Sequence, residues 1–322
     1  MTNLDIFALE MNYMPDRSPI TSHQSLAVAL RDAIAQFERK NVPSAALAAE
    51  LLLMHTLGCD RAWLYAHPEQ KLDAAMREQY FSLIAHRAGG VPTQHLTGHQ
   101  EFWGLDFEVT PDVLIPRPET EHVIEVALER LGVGSSASSP VRKRQFRIAD
   151  VGTGSGCIAI ALAHELPAAQ IIATDISAAA LEVARRNAAR HNVAERVSFI
   201  ESNLLDTALH GSRPMGHGPR SFDLIASNPP YIGRQEAATL PREVRDHEPA
   251  VALFGGETGT EIYAPLIEQA ATLLKPAGAL VLELGHNSAE RVSRLLDAPE
   301  WTSVDITKDL AGISRVASAQ RR

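Results

Sequence analysis

From Ser25 onward apolar residues recur at three- and four-residue steps, so that Leu26, Leu30, Ile34 and Phe37 share one face of a helix. A second helix is expected from Pro43-Ser44, with Leu47, Leu51 and Met54 inside and Gly58 just past its end. A third runs from about Leu72 to Ala88 and carries Met76, Tyr80 and Leu83. This helical unit closes near Gly89-Gly90. The period then changes. Residues 102–109 (Phe-Trp-Gly-Leu-Asp-Phe-Glu-Val) alternate apolar with polar positions, as a strand or hairpin does. Pro118 in a first turn, with Glu119 and Glu121 beside it, starts a further helix through Val123, Val126, Ala127 and Leu131.

Beyond a Ser-rich and basic connector at Gly134–Arg144, strands alternate with helices. Strands are expected at Arg147–Val151, Gln170–Thr174, Val197–Glu201, Phe222–Ser227 and Ala279–Leu284. Helices are expected at Cys157–His164, Ala178–His191 and Tyr263–Leu274, and a Gly/Pro/His-rich loop covers His210–Arg220. Such alternation predicts βαβ units, hence an α/β fold with a parallel, Rossmann-like sheet. Short strands at Ser303–Lys308 and Arg315–Ala319 can close that sheet as an antiparallel hairpin. The expected organisation is a loose lead-in (1–22), a small all-α domain (23–90), a β-hairpin linker (91–117) and a larger α/β domain (118–322). No internal repeat is visible.

Hydrophobic residues make up 45% of the 322 positions and charged ones 21%, which suits a globular chain able to bury a core. The net charge of −9 argues against a protein that grips bare phosphate backbones, because that affinity comes from Lys and Arg displacing counterions. No direct nucleic-acid partner is therefore expected. The two cysteines, Cys59 and Cys157, have no metal-like spacing and read as buried, reduced thiols. His95 and His99 lack a third ligand, so no metal is expected. Neither a secretory signal nor an apolar run near the ~20 residues of a membrane helix is evident, and a cytoplasmic location is expected.

The chemistry concentrates at two strand ends. Asp150-Val151-Gly152-Thr153-Gly154-Ser155-Gly156 lies between a strand and a helix, where glycines let the backbone approach a ligand. Its G-x-G-x-G spacing departs from the G-x-G-x-x-G of dinucleotide sites, since Cys157 stands where the last glycine would fall. Asp175 ends the next strand. It can accept hydrogen bonds from both hydroxyls of a ribose, or serve as a helix N-terminal carboxylate. Asn203 and Leu204 end the third strand and either border an adenine or simply pack.

Asn228-Pro229-Pro230-Tyr231 follows the fourth strand, on the edge where open α/β sheets bind ligands. The prolines stiffen the backbone and leave carbonyls free to accept. Asn228 adds a side-chain acceptor and Tyr231 a flat aromatic face, so together they form an acceptor cradle for a planar –NH2 group. Glu283, a carboxylate flanked by leucines inside a strand, needs a partner that the sequence does not name.

The segments 150–156, 175 and 228–231 resemble the motifs of seven-stranded class I methyltransferases acting on amino groups. Phe102-Trp103-Gly104 and Leu114-Ile115-Pro116-Arg117-Pro118-Glu119-Thr120-Glu121 narrow the resemblance to the HemK family of protein-(glutamine-N5) methyltransferases. The run Lys308–Arg315 and the Pro-Glu-Thr-Glu after Arg117 are similar to its release-factor branch rather than its ribosomal-protein L3 branch. The resemblance implies S-adenosylmethionine as cofactor, with S-adenosylhomocysteine as product, and methylation of the glutamine in the Gly-Gly-Gln loop of peptide-chain release factors. It assigns cofactor contact to Gly152, Thr153, Gly154, Ser155, Gly156, Asp175 and Asn228; Asn203 and Leu204 are candidates for the same site by their place at the third strand's end alone. It assigns the substrate glutamine to Asn228, Pro229, Pro230 and Tyr231, and pocket walls to Phe102 and the Arg117–Glu121 segment, Arg117 and Glu119 included. A DNA N6-adenine methyltransferase would use a similar cradle, but the acidic surface and the lack of a base-recognition segment oppose it.

Overall fold

The computed structural model describes residues 24–134, 140–210 and 221–322. The expected lead-in, residues 135–139 of the connector and residues 211–220 of the Gly/Pro/His-rich loop lie outside them. The chain divides into two compact units, with the boundary between Thr97 and Gly98.

The first unit is all helical: α1 (Leu26–Arg39), α2 (Ala45–Leu57), α3 (Arg61–Ala66), α4 (Ala74–Ala88) and α5 (Thr93–Thr97). Polar caps start these helices. Ser25 accepts from the Val28 amide, Asp60 from Trp63 and Asp73 from Met76, each satisfying an amide that the first turn leaves unpaired. Gly58, at φ 63°, ends α2. Leu26, Phe37, Leu52, Leu53, Tyr80 and Ile84 form the core, and the Tyr80 hydroxyl is satisfied by the Ala49 carbonyl at 3.1 Å. The burial of α2 differs from the expected face: Leu47 is exposed, Leu51 and Met54 are half-buried, and Ala48, Ala49, Leu52 and Leu53 point inward. The unit also extends beyond Gly89-Gly90 because α5 packs on α2 and α4.

The second unit opens with a hairpin, β1 (His99–Phe102) and β2 (Leu105–Glu108), turned through Trp103 and Gly104 at φ 55° and 70°. Two central residues with positive φ match the twist of paired strands. The chain continues as α6 (Glu121–Arg130), β3 (Arg147–Val151), α7 (Cys157–Glu165), β4 (Gln170–Asp175), α8 (Ala178–Arg190) and β5 (Val197–Glu201). Next come α9 (Asp206–His210), β6 (Phe222–Ser227), β7 (Ile232–Gly233), α10 (Arg242–His247), α11 (Ala250–Leu253) and β8 (Phe254–Gly256). The last elements are α12 (Tyr263–Leu273), β9 (Leu274–Glu283), α13 (Ala289–Leu296), β10 (Trp301–Lys308) and β11 (Ser314–Arg321).

Seven strands form one sheet in the order β10-β11-β9-β6-β3-β4-β5, parallel except for β11, which runs antiparallel to both neighbours. Alternate strand residues feed two cores. Ile148, Ile171, Leu224 and Val281 meet α6 and α7, whereas Ala149, Ile172, Ile225 and Leu280 meet α12 and α13. Strand order reverses at β3, with β4 on one side and β6 on the other, which opens a crevice at their carboxyl ends. The hairpin belongs to this unit and is not a free linker. Phe102 and Phe107 enter the first core, and buried Asn187 of α8 accepts from the Glu108 amide while donating to the Glu108 and Ser155 carbonyls.

Candidate active site

The loop between β3 and α7 is built around a buried carboxylate. Asp150 Oδ2 accepts from the Thr153 hydroxyl at 2.6 Å and the Ala159 amide at 3.1 Å, and burial pushes its carboxyl up to about 7. The amides of Gly152 and Thr153 bond the Thr174 carbonyl, turning the loop across the end of β4. Gly152 and Gly154 lie at φ 73° and 55°, and no atom comes close to where a Cβ on Gly154 would stand. That open space belongs to a cavity. Gly156 differs: a Cβ there would lie 2.9 Å from Ile160 and 3.2 Å from Ala184, so its glycine serves helix packing.

The cavity, of about 220 Å³, lies over the crevice at the ends of β3, β4 and β6. Gly152, Gly154, Asp175 and Asn228 supply its polar wall; Val113, Leu114, Leu204 and Phe254 supply apolar surface. Asp175 Oδ1 accepts from the Ser177 amide and Oδ2 from the Gly154 amide, both at 2.9 Å. Burial raises its pKa while these amides hold the charged form. Each carboxylate oxygen keeps a further lone pair. Exposed backbone at two glycines, a fixed carboxylate and apolar flanks form a donor and acceptor set that fits a nucleoside-bearing cofactor.

Asn228 borders the same cavity, and its Nδ2 donates to Thr120 Oγ1 at 3.0 Å. Thr120 closes a 3-10 turn over Pro118–Thr120 that leads into α6. The Tyr231 hydroxyl donates to Glu283 Oε1 at 3.2 Å, and the Tyr263 hydroxyl to the Glu283 carbonyl at 2.9 Å. Glu283 is 2% exposed, and burial raises its carboxyl to about 7 against the Thr120 and Tyr231 hydroxyls, which favour the carboxylate. The same burial lifts the Tyr231 phenol far above its ordinary range. These contacts supply the partner that the sequence left unnamed.

A glycine loop clamps the segment after Asn228. A Cβ on Gly255 would meet the Pro230 carbonyl oxygen at 2.1 Å, and one on Gly259 would meet the Tyr231 carbonyl oxygen at 2.3 Å. Strands β7 and β8 pair alongside. Gly285 supports the Tyr231 ring, which would lie 2.9 Å from an added Cβ.

The structure gathers Gly152, Gly154, Asp175, Asn203, Leu204, Asn228 and Pro230 around one cavity. Thr153, Ser155 and Gly156 lie behind the loop as its supports, and Pro229 is buried. Phe102 differs from the expectation: it sits edge-to-face on Phe107 inside the core, 1% exposed, and is not among the residues lining this cavity. Arg117 pairs with buried Glu248, whose other oxygen takes the Ile115 amide at 3.2 Å; Glu119 faces Arg315 at 3.6 Å. Both therefore frame the turn that carries Thr120. Sequence reasoning placed Thr120 only within the Arg117–Glu121 wall, without a contact of its own, and passed over Glu248, Gly255 and Gly259. The signals were a threonine inside the quoted Pro-Glu-Thr-Glu run and glycines clustered just downstream of Asn228–Tyr231.

A seven-stranded sheet with one reversed strand, a glycine loop over its switch point and the Asn228–Tyr231 segment after β6 define a class I methyltransferase. Residues 137–243 match the methyltransferase small domain, and residues 28–98 match the PrmC N-terminal domain. A release factor glutamine methyltransferase of Koribacter versatilis is 44% identical over 92% of this chain and 99% of its own length. One of Chlorobaculum tepidum is 43% identical over 90% and 95%. The chain belongs to the release factor glutamine methyltransferase family. The fold extends further, to the hMettl16 catalytic domain solved with an RNA hairpin: TM-score 0.52 and 19% identity, covering 74% of this chain and 81% of that one. Among the described residues no helix is long and apolar enough to cross a membrane, and no group of His, Cys, Asp or Glu could hold a metal ion.

Proposed function

We propose that this chain methylates the side-chain amide nitrogen of the glutamine in the Gly-Gly-Gln loop of peptide-chain release factors, using S-adenosylmethionine in the cytoplasm. The observation that carries this reading is the position of Asn228, bordering the glycine-loop cavity with its Nδ2 already committed to Thr120. Family membership supports the choice of protein substrate. The helical unit up to Thr97, which carries none of the cavity, is assigned to recognition of that protein.

S-adenosylmethionine supplies a methyl group on a sulfonium, so a C–N bond forms at the amide as the C–S bond breaks, and the methylated nitrogen releases a proton. Amide nitrogens are weak nucleophiles because the lone pair is delocalised. The chain's task is alignment. Asn228 Oδ1 and the Pro229 carbonyl accept the two N–H groups and turn the nitrogen toward the cavity. Pro229 and Pro230 keep these acceptors rigid, with Gly255 and Gly259 packed on the following carbonyls. Asp175 takes the ribose hydroxyls. No side chain is needed as a base, since the protonated, methylated amide is itself strongly acidic.

Asp175→Ala is expected to weaken S-adenosylmethionine binding by about 10- to 100-fold, the worth of hydrogen bonds to a charged group. Calorimetry checks this, and affinity within twofold of wild type would remove Asp175 from that role. The substrate is tested by methyl transfer from labelled S-adenosylmethionine to purified release factor, ribosomal protein L3 and duplex DNA in parallel, with the modified residue mapped. Label on the Gly-Gly-Gln glutamine is expected. Label on L3 would keep the chemistry and replace the substrate; methylated adenine would overturn both.

A further inference from the structure

The proposed glutamine methylation, on which this inference rests, needs Asn228 and the cofactor cavity held in one fixed relation. Gly255 and Gly259 grip the carbonyls that follow Asn228. The Asn228 side chain is held from elsewhere. Its Nδ2 donates to Thr120 Oγ1 at 3.0 Å, and the Thr120 amide donates to the Arg117 carbonyl at 3.0 Å. Thr120 is therefore only as fixed as the segment 113–120. That segment also lines the cavity, through Val113 and Leu114.

Glu248 grips this segment twice. It lies between α10 and α11, with its side chain 1% exposed. Oε1 accepts from the Arg117 guanidinium, and Oε2 from the Ile115 amide at 3.2 Å. Beyond Glu248 in sequence, Val251, Ala252 and Phe254 line the same cavity, and Gly255 closes on the Pro230 carbonyl. A buried ion pair adds little net stability over apolar side chains of the same volume, because desolvation offsets the attraction. What it adds is register, since two donors aimed at two oxygens fix where the segments meet. We propose that Glu248 is a positioning residue for methyl transfer. Through Ile115 it sets the Leu114 wall of the cofactor cavity; through Arg117 it sets the turn that carries Thr120, and hence Asn228. Both are locked to the segment whose glycines clamp Pro230 and Tyr231.

Two donors need two acceptor oxygens. Glu248→Gln keeps the shape but offers one, which goes to the charged and stronger donor, Arg117, and leaves the buried Ile115 amide without a partner. Arg117→Met removes the other grip and leaves the Ile115 bond in place. Arg117→Lys keeps a charged donor toward Oε1. The two grips can therefore be released separately.

The test is S-adenosylmethionine affinity by calorimetry and kcat for labelled transfer, on the full chain, at a temperature where circular dichroism shows every variant folded. Glu248→Gln is expected to lower kcat about 10- to 100-fold, the cost of a misplacement of about an ångström, and to weaken S-adenosylmethionine binding about fivefold. Arg117→Met is expected to lower kcat about tenfold with affinity within about twofold, and Arg117→Lys to keep kcat within about threefold of wild type. Adding Arg117→Met to Glu248→Gln is expected to cost no more than about threefold further, because both break one connection. Asp246→Asn breaks exposed ion pairs with Arg242 and Arg245 and is the control, leaving both quantities unchanged. Wild-type kcat or wild-type affinity in Glu248→Gln, or losses that multiply in the double variant, would overturn the proposal. If Glu248→Gln fails to fold, the Arg117 pair decides: equal rates for the methionine and lysine variants would overturn it. Affinity needs no protein substrate, and kcat ratios are taken on whichever substrate wild type labels. Failure of the release-factor reading therefore shows in the wild-type substrate, and failure of this one in the variant ratios.

Discussion

Asn228→Ala is expected to bind S-adenosylmethionine within a few-fold of wild type while methyl transfer falls by about 100- to 1000-fold, the usual cost of removing one preorganised polar contact to the reacting group. The split follows from the geometry. The cavity keeps Gly152, Gly154 and Asp175 in the variant, so the ribose and loop contacts proposed for them are expected to survive. What disappears is the side-chain acceptor at the seam between cavity and Thr120. Without it, one N–H of the substrate amide is unheld and the nitrogen loses its line to the methyl group. Calorimetry gives the first quantity and labelled transfer the second. Equal loss of both would contradict the division of roles between Asn228 and the glycine loop.

Gly255→Ala is the second large effect. An added Cβ would stand 2.1 Å from the Pro230 carbonyl oxygen and 2.8 Å from that of Gly259, both backbone atoms that cannot rotate away. One methyl group therefore has to displace the acceptor segment itself. Forcing extra volume into such a contact costs about 1–3 kcal/mol of stability. Turnover is expected to fall about tenfold or more, because displacements of about an ångström suffice for that. Gly134→Ala is the control: nothing lies within 4 Å of its Cβ, and it leaves melting temperature and rate unchanged. Melting curves and rates side by side would show it. If Gly255→Ala behaves like Gly134→Ala, the glycine loop does not hold Asn228–Tyr231 in place.

Much of the fold was legible because the two periodicities are strong where the sheet is built. β3, β5 and β6 begin and end where alternating or buried apolar runs put them. Helix α2 was legible as a helix but not as a face. Its sequence, AALAAELLLMHTL, is apolar nearly all round, so no stripe marks which side is buried, and Leu47 was wrongly placed inside. Helices α3 and α5 span barely a turn or two, too short for a period to emerge. At the site, the glycine loop and Asn228–Tyr231 could be read because each is a continuous run. The contacts that orient them could not. Thr120 meets Asn228, and Glu283 meets Tyr231, across long stretches of sequence that only the sheet order and the turn before α6 bring together. Phe102 misled for the opposite reason: it sits inside a recognisable motif, yet its side chain serves the core of the hairpin.

The placement of β11 bears on how the chain can fold as it leaves the ribosome. β10 precedes β11 in sequence but reaches the sheet only through it, since β11 lies between β9 and β10. When residues 301–308 emerge, the strand they pair with, β11, does not yet exist. Until residues 314–321 follow, β9 presents an open edge, with Leu280, Val281 and Leu282 along the strand. An unpaired apolar edge is a site for wrong pairing, and vectorial synthesis prolongs its exposure. The nascent chain has its glycine loop and its Asn228–Tyr231 segment before it has a closed sheet, which makes this late interval the one in which a chaperone would matter most.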